Sequence, residues 1–275
     1  MIDLRAGGFK SSVKAGPLIG AICAFLLVAC GGKPPAPQKA PTPGSDTAAE
    51  AGYLEPPQVL AARLAGGAVR LEGSAVPNSR VRIASPAGEA VFAQADAKGR
   101  WAAAVRPSQT VNLYGVSMKD GGRMAQAEGY LLVTADGQAA QLRGGSGAVA
   151  LSPPSRTPKI LAVDYDRDGG AVVSGVAEPG TDLTLRVDRA ARGESKADKQ
   201  GRFIIPLTEP LKPGSHAFEV TGQGGADVRQ VQIDAPIHPT SGPYTGRRTE
   251  SGWRVDWMTP GGGGQTTLLF ERPAA

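Results

Sequence analysis

The chain has 275 residues, a formal net charge of +5, 38 glycines, 23 prolines and two cysteines. So much glycine and proline argues against a helix-rich protein and for strands and turns. The charge excess is too slight to indicate a nucleic-acid partner. At the start of the chain, Arg5, Lys10 and Lys14 lead into an apolar run from Pro17 to Ala29, the layout of an export signal. Spanning the bilayer core takes about 20 apolar residues, so this run is too short for a permanent membrane helix. Cleavage after residue 29 removes three cations and one acid and leaves a charge of +3.

The run closes on Leu27-Val28-Ala29-Cys30, followed by Gly31 and Gly32. These four residues resemble the lipobox of bacterial lipoproteins. The resemblance implies that residues 1–29 are a lipoprotein signal peptide and that Cys30 becomes the acylated first residue of the mature chain, carrying three fatty chains such as palmitate. Two chains already suffice for stable anchoring, so the implied partner of Cys30 is membrane lipid. Gly31 stands where an aspartate would favour the inner membrane, and by the same resemblance the address is the outer membrane of a bacterial cell envelope. The alternative is an ordinary cleaved signal with Cys30 as a small hydrophobe. Cys23 lies inside the apolar run and leaves with it. With Cys30 acylated, no thiol pair remains, and stability must come from packed cores.

Residues 30–57 read as a tether. Prolines occupy positions 34, 35, 37, 41, 43, 56 and 57, and large apolar side chains are almost absent. Such a segment cannot bury enough surface to offset its ordering entropy and is expected to be disordered and extended. A polyproline-like stretch advances about 3.1 Å per residue, which gives a reach of roughly 80 Å.

Next comes an internal repeat with an offset of 102 positions. Gly73, Ala75, Pro77, Ser79, Val81 and Ile83 align with Gly175, Ala177, Pro179, Thr181, Leu183 and Leu185. Further on, Asp96, Gly99, Arg100 and Trp101 align with Asp198, Gly201, Arg202 and Phe203. The chain therefore carries a duplicated module over residues 58–133 and 159–234. Alternation in Val81/Ile83 and in Leu183/Leu185/Val187 predicts half-buried strands. Pro77-Asn78 and Pro179-Gly180 predict tight turns, and Asp96 to Gly99 and Asp198 to Gly201 predict four-residue turns led by an Asx side chain. Trp101 and Phe203 are the expected large core residues, and closing strands are expected at Tyr130 to Val133 and at Val228 to Ile233. Short strands at this spacing predict an all-β protein built of two tandem β-sandwiches. The pattern G-x-A-x-P-[NG]-[ST]-x-[VL]-x-[IL] followed by D-x-x-G-R-[WF] resembles bacterial immunoglobulin-like modules. That resemblance implies immunoglobulin-like sandwiches acting as spacers, binding surfaces or adhesive stalks, with no cysteine pair.

Residues 134–158 read as a linker or hairpin ending in a proline-rich joint. Residues 235–275 read as a loop followed by a C-terminal β-hairpin of Gly252 to Met258 and Gln265 to Phe270. Trp253, Val255 and Trp257 share one face of its first strand. Trp253 and Trp257 either form a platform for a sugar ring or partner side chain, or dock the hairpin onto the second module. Arg254, with Arg247 and Arg248, is a candidate contact for an anionic polymer. Asp164, Asp166 and Asp168 have the spacing of half a calcium loop, although Gly175 stands where the bidentate Glu is needed. That leaves only a weak metal candidate. His216 and His238 have no accompanying nucleophile, no phosphate loop or zinc ligand set is present, and no cofactor is expected. The sequence thus predicts a non-catalytic envelope lipoprotein whose partner is an envelope protein or, alternatively, a polysaccharide held by the aromatic hairpin.

Overall fold

A computed structural model describes residues 53–271. The export segment, Cys30 and all but the last residues of the tether lie outside that range. The first module comprises β1 (Gln58–Ala65), β2 (Ala68–Ser74), β3 (Arg80–Ala84), β4 (Ala90–Gln94), β5 (Arg100–Val105), β6 (Asn112–Asp120) and β7 (Arg123–Gln126). It is followed by β8 (Tyr130–Val133), β9 (Ala139–Leu142) and β10 (Val149–Ala150). The second module comprises β11 (Lys159–Asp166), β12 (Ala171–Val176), β13 (Asp182–Val187), β14 (Ala190–Lys196), β15 (Arg202–Pro206), β16 (Gly214–Gly222) and β17 (Gly225–Ile233). Last come β18 (Tyr244–Thr249), β19 (Gly252–Met258) and β20 (Gly264–Phe270). The described residues contain no helix and are all-β.

The duplication is carried through to topology. The first module pairs β1-β2-β5 in one sheet and β4-β3-β6-β7 in the other, and the second repeats this as β11-β12-β15 and β14-β13-β16-β17. Three strands facing four, all antiparallel, is an immunoglobulin-like sandwich. Val69, Leu71, Val81, Ile83, Trp101 and Met118 fill the first core, and Val173, Leu183, Leu185, Phe203, Phe218 and Val220 the second.

The repeated motif is mostly a set of backbone constraints. At Gly73 a Cβ would overlap the Gln58 carbonyl and the Trp101 ring, and at Gly175 it would overlap the Lys159 carbonyl and the Phe203 ring. The glycine therefore makes room for the aromatic that follows 28 residues later in each copy. One four-residue turn recurs at Ser85–Gly88, Asp96–Gly99, Thr134–Gly137, Asp166–Gly169, Asp198–Gly201 and Thr259–Gly262. In each, a glycine with φ between 72° and 92° donates its N–H to the carbonyl of the first residue. The leading Asp or Thr side chain also accepts the N–H four residues on, at Arg100, Gln138, Gly170, Arg202 and Gly263.

The segments between and after the modules differ from expectation. The closing strand of the first sandwich is β7, on the second half of β6 (Ser117–Asp120), whereas Tyr130–Val133 is β8, opposite Asn112–Tyr114 at the other end of that strand. Residues 134–158 do contain a hairpin, β9 paired with β10, and it continues from β8 as a meander that widens the first module's sheet. The expected loop before the last hairpin contains β18, so the C-terminal unit is a three-stranded meander. Its strand β20 pairs along β11, giving a six-stranded sheet in the order β15-β12-β11-β20-β19-β18.

Gly175→Ala should force the Phe203 ring out of the second core and lower stability by roughly 1–3 kcal/mol or more, the usual cost of overpacking, as read by urea unfolding.

Candidate functional site

The C-terminal meander holds the residues singled out for binding. Along β19, Trp253, Val255 and Trp257 do share one face, and Arg254 and Asp256 occupy the other. Trp253 is 6% exposed and Trp257 0%. Neither indole is open to a ligand, so the sugar-platform expectation is corrected. The face they form packs on the first module's extension, against Val111, Leu113, Leu132, Ala140 and Leu142, with Ala162 and Leu269 from the second module's sheet. The expected docking onto the second module is therefore made by strand pairing through β20, while the tryptophans reach the opposite way. The result is a third hydrophobic core at the junction of the two modules.

Both indole N–H groups in this core have a partner. The Trp257 indole N–H donates to Thr267 Oγ1 at 3.0 Å, and its ring meets Tyr130 edge-on, 6.0 Å between centroids. Thr267 Oγ1 donates to Asp164 Oδ1, and Asp164 Oδ2 accepts the Ala148 N–H at 2.6 Å. Four segments, β19, β20, β11 and the β9–β10 loop, are thus joined in one hydrogen-bonded line. Trp253 Nε1 donates to Asp136 Oδ1 at 3.0 Å, and the Arg248 guanidinium covers the Trp253 ring at 5.3 Å while pairing with Glu271. Burial pushes the Asp136 carboxyl up, but hydrogen bonds from Thr134, Gln138 and Trp253 outweigh it and leave it below the ordinary range.

Arg254 is equally committed. Its Nε and Nη2 grip Asp256 at 2.9 Å each, Nη2 also donates to the Ala235 carbonyl, and Nη1 reaches Asp234 at 3.4 Å. Asp256 accepts further bonds from Thr266 Oγ1 and the Ile237 N–H. Burial raises the Asp256 carboxyl, yet the Arg254, Thr266 and Ile237 bonds prevail and lower it. The pair clamps residues 234–237 to the sheet, so Arg254 offers no free guanidinium to a polymer. A buried pair of this kind is costly to break from one side, about 3–5 kcal/mol.

The three aspartates of the calcium candidate serve other ends. Asp164 is buried in the junction, Asp166 Oδ1 caps its own turn by accepting the Asp168 and Gly170 N–H groups, and Asp168 is exposed. Among the described residues, no three His, Cys, Asp or Glu side chains assemble into a metal site. His216 Nδ1 lies 2.7 Å from Asp188 and Nε2 2.8 Å from the Lys212 carbonyl. Burial lowers the imidazole pKa, but these two bonds prevail and raise it. Asp188 and Arg189, with φ of 52° and 72°, form the tight β13–β14 turn that His216 braces. His238 packs against Gly264. Asp136, Asp256 and Thr267, the partners that make the junction, lie outside the sequence-predicted site.

No protein-family model and no curated protein matches the chain. Among solved structures it is similar to the BSP domain of a biofilm associated protein, at 16% identity and a TM-score of 0.24, covering 62% of this chain and 28% of that one. It is also similar to the central fibronectin-III array of RIM-binding protein, at 13% identity and a TM-score of 0.25, covering 78% of this chain and 89% of that one. The chain thus spans little more than a quarter of the biofilm-associated structure.

Two outcomes follow from this geometry. Trp257→Ala should lower stability by about 3–5 kcal/mol and split a single calorimetric transition into two, as the modules lose their common core. Burial raises the Asp164 carboxyl to about 6 from its ordinary 3.8, against the bonds from Thr267 and Ala148 and the Arg143 charge. The folded state therefore holds its proton longer than the unfolded chain. Below about pH 4 both are protonated, and stability then falls between pH 4 and 6 by up to about 3 kcal/mol and levels off above. Denaturant titrations across pH should show that decline in the parent and lose it in Asp164→Asn.

Proposed function

We propose that the chain is a lipid-anchored protein of the bacterial envelope with a non-catalytic role. It carries fused β-sandwiches on a tether and presents their sheet faces to other envelope components, at the outer membrane by the lipobox resemblance. The observation that carries this reading is the junction core. Modules joined by a free joint would sample many orientations, whereas a common core fixes their outer faces relative to each other. Fixed faces suit spacing, bridging or docking. The reading is also supported by the use made of reactive groups: His216 braces a turn, while Asp164, Asp256 and Arg254 hold the junction. Attachment rests on Cys30 within its lipobox-like setting and on the proline-rich stretch that follows.

Metabolic labelling with a fatty-acid probe tests the anchor. The parent chain should take up label and fractionate with membranes, and Cys30→Ser should do neither. Label persisting in Cys30→Ser would refute the assignment.

A further inference from the structure

The two modules are copies in fold, but their outer faces differ in charge. On the solvent side of the β4-β3-β6-β7 sheet, cross-strand register sets two rows of side chains. Gln94, Arg80, Lys119 and Met124 form one row, and Phe92, Arg82, Ser117 and Gln126 form the next. These eight positions hold three cations and no acid. On the second module the β13–β16 register is displaced by two residues, and the corresponding rows are Lys196-Asp182, Glu194-Thr184-Thr221-Ala226 and Ala191-Arg186-Glu219-Val228, which hold three acids and two cations. There Lys196 is paired with Asp182 at 3.1 Å. On the first module, Arg80, Arg82 and Lys119 have no ion-pair partner among the described residues, and Asp120 at the end of β6 is engaged with Arg123.

The same face exposes two large apolar side chains. Phe92 is 49% and Met124 76% exposed, one on each outer strand, and the Arg80 guanidinium lies 4.0 Å from the centre of the Phe92 ring. Cations set between exposed apolar side chains on a broad sheet match a planar lattice of phosphates over hydrocarbon, where charge and apolar contact act together. A hydrophilic polyanion would meet the three cations but leave Phe92 and Met124 in water. We infer that this face docks onto an anionic lipid surface, with Arg80, Arg82 and Lys119 against phosphate headgroups and Phe92 and Met124 entering the interface. The inference takes its setting from the proposed envelope location. Tethering near a bilayer would raise the effective concentration of a face too weak to hold the protein alone.

The test uses residues 30–275 with Cys30→Ser, which keep the whole compact unit and cannot be acylated. It is sedimented with vesicles of phosphatidylcholine alone or with about a third of phosphatidylglycerol. Binding to the anionic vesicles that weakens with salt is expected. Arg80→Asp, Arg82→Thr and Lys119→Thr together install the residues found 102 positions further on and should weaken binding on the order of several hundredfold, about fivefold for each unit of charge removed. Lys196→Thr on the second module should leave binding unchanged, and Phe92→Ser with Met124→Ser should reduce it at every salt concentration. If the triple variant does not fold, Arg82→Thr alone should show the fivefold loss. Equal binding to both vesicle types, or triple-variant binding equal to the parent's, would overturn the inference. So would retention by soluble polygalacturonate that ignores Phe92 and Met124, which would assign the face to a polymer. Because the tested chain cannot be acylated, failure here leaves the anchor standing, and failure of the labelling experiment leaves this face standing.

Discussion

The hydrogen-bonded line from the Trp257 indole through Thr267 to the Asp164 carboxyl and the Ala148 amide is the tie on which the architecture depends. Each link spans a different segment, and all four lie where two sheets would otherwise present bare apolar faces to water. An unpaired carboxylate at that depth would be untenable, and burial alone pushes Asp164 toward its neutral form. Its bonds to Thr267 and Ala148 make the burial tolerable. They also give the packed tryptophans around it one defined arrangement, which apolar contact alone specifies poorly.

Duplication explains the modules, and divergence explains what joins them. In the first copy Arg100 turns back onto Asp96 within its own turn. The equivalent Arg202 reaches across the joint and donates to the Leu60 carbonyl of the first module. The edge strand β1 is met along this side by Leu151, whose carbonyl accepts the Ala62 N–H, whereas its counterpart β11 is covered by β20. A non-repeated strand thus closes the β11 edge, a common way of keeping strand edges from pairing with strangers, while β1 receives a single backbone bond.

What could be read from the residues follows from range. Turns are local, and Asp96 to Gly99 specify theirs with a side-chain acceptor and a positive-φ glycine, so the repeat and its strands were legible. The alternation of Trp253, Val255 and Trp257 correctly marked a face. Alternation reports that a face is buried and says nothing of what buries it, and the partners Leu132 and Leu142 lie more than a hundred residues away. β18 carries no strand signal in the sequence because Tyr244-Thr245-Gly246-Arg247-Arg248-Thr249 is a polar edge without an apolar face. β7 is silent for the same reason, Arg123 to Gln126 being largely exposed. Arg254 looked like a surface cation because Asp256 sits two residues away on the same strand, where a sequence pattern gives no hint of a bidentate grip.

The position of β20 has a consequence for biogenesis. This strand comes after all the others in chain order, yet it lies inside the six-stranded sheet, hydrogen-bonded to β11 on one side and β19 on the other. A polypeptide synthesised amino terminus first can complete the first sandwich early, but it must hold β11 with one rim unzipped until Phe270 has emerged. During that interval the emerging chain offers a bare rim to any chaperone or protease that recognises extended backbone, and the arrival of the final strand ends the exposure.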